Sequence, residues 1–123
     1  MHVCILLVED EPLIREIMAE SLEDAGFVVL PVRTGDEAIS VILDGLVRIT
    51  ALVTDFHMPG DADGAAVASC IRELWPDMPV VIASGRPDIM KQSWQYENGY
   101  RLLCKPYCPR QLIGVLRELN LAA

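Results

Sequence analysis

The feature that most constrains this chain is the strict alternation of short apolar runs with segments of helical periodicity. Residues 3–8 form a continuous apolar run, the pattern of a strand buried on both faces. Residues 12–25 follow with Leu13, Ile14, Ile17, Met18 and Leu22 at helical spacing; Pro12 suits the first turn and Gly26 the stop. Residues 27–32 read as a second strand, placed at the sheet edge because Pro31 can donate no ladder hydrogen bond. Residues 36–46 read as a helix with Ala38, Ile39, Ile42 and Leu43 on one face, and residues 49–54 as a third strand ending at Asp55. A loop leads to a helix from about Ala65 to Trp75, with Val67, Cys70, Ile71 and Leu74 inward and Pro76 as its stop. Residues 79–83 and 100–104 read as further strands, with a weaker helix at 88–96 between them. Residues 109–121 close the chain as a helix with Leu112, Ile113, Leu116 and Leu119 inward.

Five strands and five helices in alternation imply an α/β fold, a parallel sheet with helices on both faces. At 123 residues the chain has room for one domain, spanning 1–123. The expected architecture is a flavodoxin-like (βα)5 three-layer sandwich, a five-stranded sheet in the order 2-1-3-4-5. The order comes from the class, not from the residues. With 52% hydrophobic residues a substantial core can form. No apolar run is long enough to span a bilayer, and the apolar N-terminal run lacks the basic flank of a signal peptide, so a cytoplasmic protein is the expectation. A formal net charge of −8 disfavours direct binding to nucleic acid or to anionic membrane.

The four cysteines, Cys4, Cys70, Cys104 and Cys108, form no CxxC pair. Cys4 and Cys104 lie in apolar strand runs and Cys70 on an apolar helix face, where cysteine acts as a small hydrophobe. Cys104 and Cys108 would need two more ligands to hold zinc, and His2 and His57 are not placed to supply them. Reduced thiols, buried or incidental, are expected.

In an open parallel sheet, ligands bind beyond the carboxyl ends of the strands. The first strand ends there in Glu9-Asp10-Glu11, the third in Thr54-Asp55, the fourth in Ser84-Gly85 and the fifth in Cys104-Lys105-Pro106. Clustered carboxylates repel one another unless a cation joins them, and all-oxygen ligands suit magnesium. One carboxylate can then act as a nucleophile on phosphorus, while an amine (Lys105) and a hydroxyl (Ser84) face the phosphoryl oxygens. Gly85 would let the backbone approach the ligand. Asp61 and Asp63 read more simply as solvated surface.

In Val8-Glu9-Asp10-Glu11, Asp55 followed by Met58-Pro59-Gly60 and Gly64, Ala83-Ser84-Gly85 and Lys105-Pro106, the chain resembles the receiver domains of two-component response regulators, over essentially its whole length. The resemblance implies that Asp55 accepts a phosphoryl group and that Mg2+ is held by Asp10, by Asp55, by the backbone carbonyl of His57, and by Glu9 directly or through water. It implies that Ser84 bonds a phosphoryl oxygen, that Lys105 pairs with the phosphoryl group, and that Pro106 makes an often cis peptide. It also implies a histidine kinase or phosphotransfer protein as donor, a downstream protein target, and no catalysis beyond the domain's own phosphorylation and dephosphorylation. Three departures stand out. Leu102 replaces the aromatic usual three residues before the lysine, and the loop after Asp55 is about one residue longer than usual. Ala83-Ser84-Gly85 and Lys105-Pro106-Tyr107 are similar to a subgroup of stand-alone alphaproteobacterial receivers, but Arg86-Pro87 lacks that subgroup's aromatic.

Each of these residues also has a plainer reading: Asp55 as a loop cap, Lys105 as a surface lysine, Ser84 as a turn residue. His57 and Arg86 are expected at the site mouth, where they could tune access of water. Tyr100 is expected to pack on the sheet, with Trp94 open between packing and partner binding. Only two alanines follow Leu121, so the expected output runs through another protein, with a fragment of a longer regulator or of a hybrid histidine kinase as the alternative. Three rival functions have distinct signatures. An unphosphorylated binding module would lack magnesium affinity, a flavin or nucleotide binder would carry a bound cofactor, and a small metal-dependent phosphatase would turn over external phosphoesters.

Overall fold

A computed structural model describes residues 3–85, 99–119 and 121. The elements are β1 (Cys4–Val8), α1 (Pro12–Asp24), β2 (Val28–Val32), α2 (Gly35–Asp44), β3 (Ala51–Asp55), α3 (Gly64–Leu74), β4 (Val80–Ser84), β5 (Arg101–Cys104) and α4 (Pro109–Glu118). The helix expected at 88–96, with Trp94 and Tyr96, and Arg86 in the preceding loop lie outside the described residues. The five strands are parallel in the order β2-β1-β3-β4-β5, with Pro31 on the edge strand as expected.

The period-two geometry of the strands sorts their side chains into two cores. Leu6, Val8, Leu52, Val80 and Ile82 pack with Ala38 and Ile42 of α2 and with Val67 and Ile71 of α3. Ile5, Leu7, Val53, Val81 and Leu103 pack on the other face with Met18 and Leu22 of α1 and with Leu112 and Leu116 of α4. Because both faces are covered, β1, β3 and β4 are buried throughout, which is why they read as unbroken apolar runs. Thr34 caps α2 through a bond from the Glu37 amide, and Asp63 caps α3 through a bond from the Ala66 amide at 2.9 Å. Asp63 is thus a helix cap as well as a surface acid.

Several helical faces are narrower than their apolar pattern. In α1 the buried residues are Met18, Ala19 and Leu22, while Leu13, Ile14 and Ile17 are exposed. Leu43 and Leu74, expected to face inward, are exposed at the last turns of α2 and α3, where no element among the described residues covers them. Helix α2 ends at Asp44 because Gly45 adopts a left-handed conformation (φ 66°), which leaves Leu46 in solvent. Tyr100 is buried as expected, with the Arg72 guanidinium 4.9 Å from its ring centroid, and Leu102 packs against the same core. Cys104 is a correction: it is exposed at the end of β5. Among the described residues, no helix is long and apolar enough to cross a membrane.

Candidate functional site

Strand register brings the polar residues to one level. Val8 lies beside Thr54, Asp55 beside Ala83, and Ser84 beside Cys104. Glu9, Asp55 and Lys105 therefore emerge at the same carboxyl edge. The ladder continues past the strands, with the Phe56 amide bonded to the Ala83 carbonyl and the Lys105 amide to the Ser84 carbonyl, each at 2.9 Å. Lys105–Pro106 is a cis peptide, as the sequence led one to expect.

Asp55 and Glu9 are 3% and 2% exposed, although both are carboxylates. Lys105 Nζ lies 2.9 Å from Asp55 Oδ1 and 3.9 Å from Glu9 Oε1. One oxygen from each of Glu9, Asp10 and Asp55 lies within 4.8 Å of the others. Glu9 Oε2 accepts from the Glu11 amide at 3.2 Å. Among the described residues, Glu9 Oε1 and Asp55 Oδ2 have no hydrogen-bond partner. A buried acceptor left unpaired costs about 1–3 kcal/mol, and more when it is charged. Such a pair calls for a proton or a cation, and three carboxylates are a donor set suited to Mg2+.

Electrostatics agree with this crowding. Burial, then the neighbouring Asp55 carboxylate, push the Glu9 carboxyl up to about 7, with smaller opposing effects from the Glu11 amide and Lys105. Burial alone would weaken the Lys105 ammonium. The hydrogen bond and charge of Asp55, with Glu9 and Asp10, outweigh it and hold the amine protonated above its ordinary value. The Tyr107 phenol is pushed up as well, by burial and then by the charges of Asp55 and Glu9.

Of the residues expected at the site, Glu9, Asp10, Asp55 and Lys105 come together. Ser84 is buried at the end of β4, beside β5. The His57 side chain is exposed, edge-on to Phe56 at 4.8 Å, and is not among the clustered carboxylates. A methyl added at Gly85 would lie 4.0 Å from the Lys105 Cβ, so the protein itself leaves room there. The sequence reading gave no role to three further residues. The Arg15 guanidinium donates to the Glu9 carbonyl at 2.9 Å, Tyr107 lines the groove beside Glu9 and Lys105, and Gly64 sits where a methyl would lie 2.2 Å from the Asp55 carbonyl oxygen. The only hint of these was position: Gly64 inside the loop motif and Tyr107 two residues past Lys105.

Among solved structures, the chain is similar to a response regulator receiver protein from Sinorhizobium medicae, at 35% identity and a TM-score of 0.83, covering 96% of this chain and 94% of that one. It is also similar to the response regulator TrrA of Thermotoga maritima, solved in complex with Mg2+ and BeF, at 25% identity and a TM-score of 0.81, covering 95% and 98%. Among curated proteins it is 31% identical to the response regulator MprA of Mycobacterium ulcerans, over 97% of this chain and 50% of that protein. It is 30% identical to the C4-dicarboxylate transport transcriptional regulatory protein DctD of Rhizobium meliloti, over 93% of this chain and 24% of that protein. The chain thus spans a quarter to a half of the length of these curated relatives. The model of the response regulator receiver domain matches residues 5–117, nearly the whole span that folds around the Glu9–Asp55–Lys105 cluster, and the chain belongs to that family.

Proposed function

We propose that this domain is a phosphorelay receiver that accepts a phosphoryl group on Asp55 and changes its protein contacts in response. The observation that carries the reading is the state of Asp55: a buried carboxylate with one oxygen on Lys105 and the other without a hydrogen-bond partner among the described residues, close to two further carboxylates. An Asp55 oxygen attacks the phosphorus of a donor phosphohistidine or small acyl phosphate. The new acyl phosphate O–P bond forms as the donor's P–N or P–O bond breaks, and the donor leaves with the electron pair. Lys105 moves from pairing with Asp55 and Glu9 to pairing with a phosphoryl oxygen, and Ser84 offers a hydroxyl to another. Asp10, Asp55, the His57 carbonyl and Glu9, directly or through water, are the residues that would hold Mg2+. When bound, the ion neutralises the clustered carboxylates and the incoming phosphoryl oxygens.

Two surface features support a protein partner. An apolar groove of about 630 Å³ opens beside Glu9 and Lys105, lined by Ile14, Ile17, Met18 and Tyr107. Such a groove suits a helical phosphodonor, which has to bring its phosphohistidine to a buried aspartate. The net charge of −8 makes a protein target more suitable than DNA for this domain by itself.

The test is intact mass after incubation with acetyl phosphate and Mg2+. One phosphoryl group should appear on the wild type and be absent in Asp55→Asn or without Mg2+. If no group is added from acetyl phosphate or from a phosphorylated histidine phosphotransfer protein, the reading gives way to an unphosphorylated binding module.

A further inference from the structure

The loop from Phe56 to Asp63 has a support outside the site. The start of α2 grips it. A methyl added at Gly35 would lie 2.3 Å from the Ala62 carbonyl oxygen, and Ala62 itself is buried. The Asp36 carboxylate accepts from the Asp61 amide at 3.3 Å, and the same Oδ2 would lie 2.7 Å from a methyl on Gly60. Gly60 has φ 100°, a conformation that other residues rarely adopt. On its inner side, the loop is pinned by Phe56 and Met58 against the core and by the Gly64 amide on the Phe56 carbonyl at 2.8 Å. His57 therefore lies in a loop that the Gly64–Phe56 bond closes at its base and that α2 holds at Gly60–Ala62.

We infer that Gly35 and Asp36 are positioning residues for the phosphorylation site: they hold the loop on α2 and thereby set the His57 backbone beside Asp55. This rests on the receiver reading above. Gly35 supplies a surface without a side chain, on which the Ala62 carbonyl can lie. Asp36 supplies the acceptor that fixes the bend at Gly60 and Asp61. Neither touches the reacting atoms. Groups that orient a ligand from behind typically change affinity by about 10- to 100-fold when removed. One step further back, the lower end of that range is expected.

The test compares Asp36→Ala, Asp36→Asn, Gly35→Ala and Glu37→Gln in the full chain. Glu37→Gln removes the same charge one residue along, where the side chain pairs with Arg33. Mg2+ binding is read by calorimetry, and amide hydrogen exchange of residues 56–62 is followed without metal. Asp36→Ala should weaken Mg2+ binding about tenfold relative to Glu37→Gln and speed loop exchange by a similar factor. Asp36→Asn keeps the acceptor and should match Glu37→Gln. Gly35→Ala should reproduce the loss. If the wild type binds Mg2+ but Asp36→Ala and Gly35→Ala change neither affinity nor loop exchange, the positioning role is wrong while the receiver reading stands. A wild type that takes up no Mg2+ overturns both.

Discussion

Replacing Gly64 by alanine separates two roles of a small residue, backbone freedom and close approach. Gly64 is the first residue of α3 and its φ is not positive, so alanine suits its backbone. The obstacle is space. The added methyl would lie 2.2 Å from the Asp55 carbonyl oxygen, 2.8 Å from the Phe56 Cα and 3.0 Å from the Asp55 carbonyl carbon. All three are backbone atoms with no rotamer to change, so the chain must open by about 1 Å to reach ordinary contact. Strand β3 is held by ladders to β1 and β4, so the opening falls on the Phe56–Asp63 loop and the first turn of α3. Overpacking of this kind costs about 1–3 kcal/mol. A shift of that size next to Asp55 should slow its phosphorylation by acetyl phosphate by roughly tenfold to a hundredfold. The matched control is Gly114→Ala, in the interior of α4 with nothing within 4 Å of the added methyl. It should gain about 0.5–1 kcal/mol from helix propensity and leave the rate alone. Urea unfolding followed by circular dichroism gives the stabilities, and intact-mass time courses give the rates. If Gly64→Ala is as stable and as fast as wild type, the close approach has no energetic meaning and the reasoning fails.

Other consequences follow from the same geometry. Leu112→Ala empties a fully buried position between α4 and the sheet and should cost about 2–5 kcal/mol in urea unfolding, with m unchanged. Glu9 in the folded state has a carboxyl raised from 4.5 to about 7, so its stabilising contribution is complete below pH 4.5 and is lost as pH rises through 7. The metal-free protein should therefore lose stability of order 3 kcal/mol between pH 5 and 8, and Glu9→Gln should flatten that slope in thermal or urea unfolding. Lys105→Ala breaks the pair with Asp55. Because the amine is one-third exposed, the stability cost should be discounted to about 1–2 kcal/mol, whereas phosphorylation should slow by roughly a hundredfold in the mass assay.

The sheet was legible because its central strands are covered on both faces, and a strand of that kind must be apolar throughout. The carboxyl-edge residues followed, since a parallel sheet presents every strand end on one side. The helix ends were harder to read. Leu43, Leu46, Leu74 and Leu13 carry an apolar pattern beyond the reach of any covering element among the described residues, and hydrophobicity alone does not say where a neighbour stops. Cys104 was misread for a similar reason: it closes an apolar strand but lies just past the edge of the core. The supports of the site were out of reach altogether. The bonds from Arg15 to Glu9 and from Asp61 to Asp36, and the place of Tyr107 in the groove beside Glu9 and Lys105, join residues through tertiary register, and no local spacing encodes them.

The central claim is that Asp55, and not a neighbouring carboxylate, carries the phosphoryl group. Borohydride reduces an aspartyl phosphate to homoserine, so the reduced protein can be digested and its peptides sequenced by mass spectrometry. The account predicts homoserine at position 55 alone, formed only after treatment with phosphodonor and Mg2+. Reduction products at Asp10 or Glu9, with residue 55 still aspartate, would contradict it.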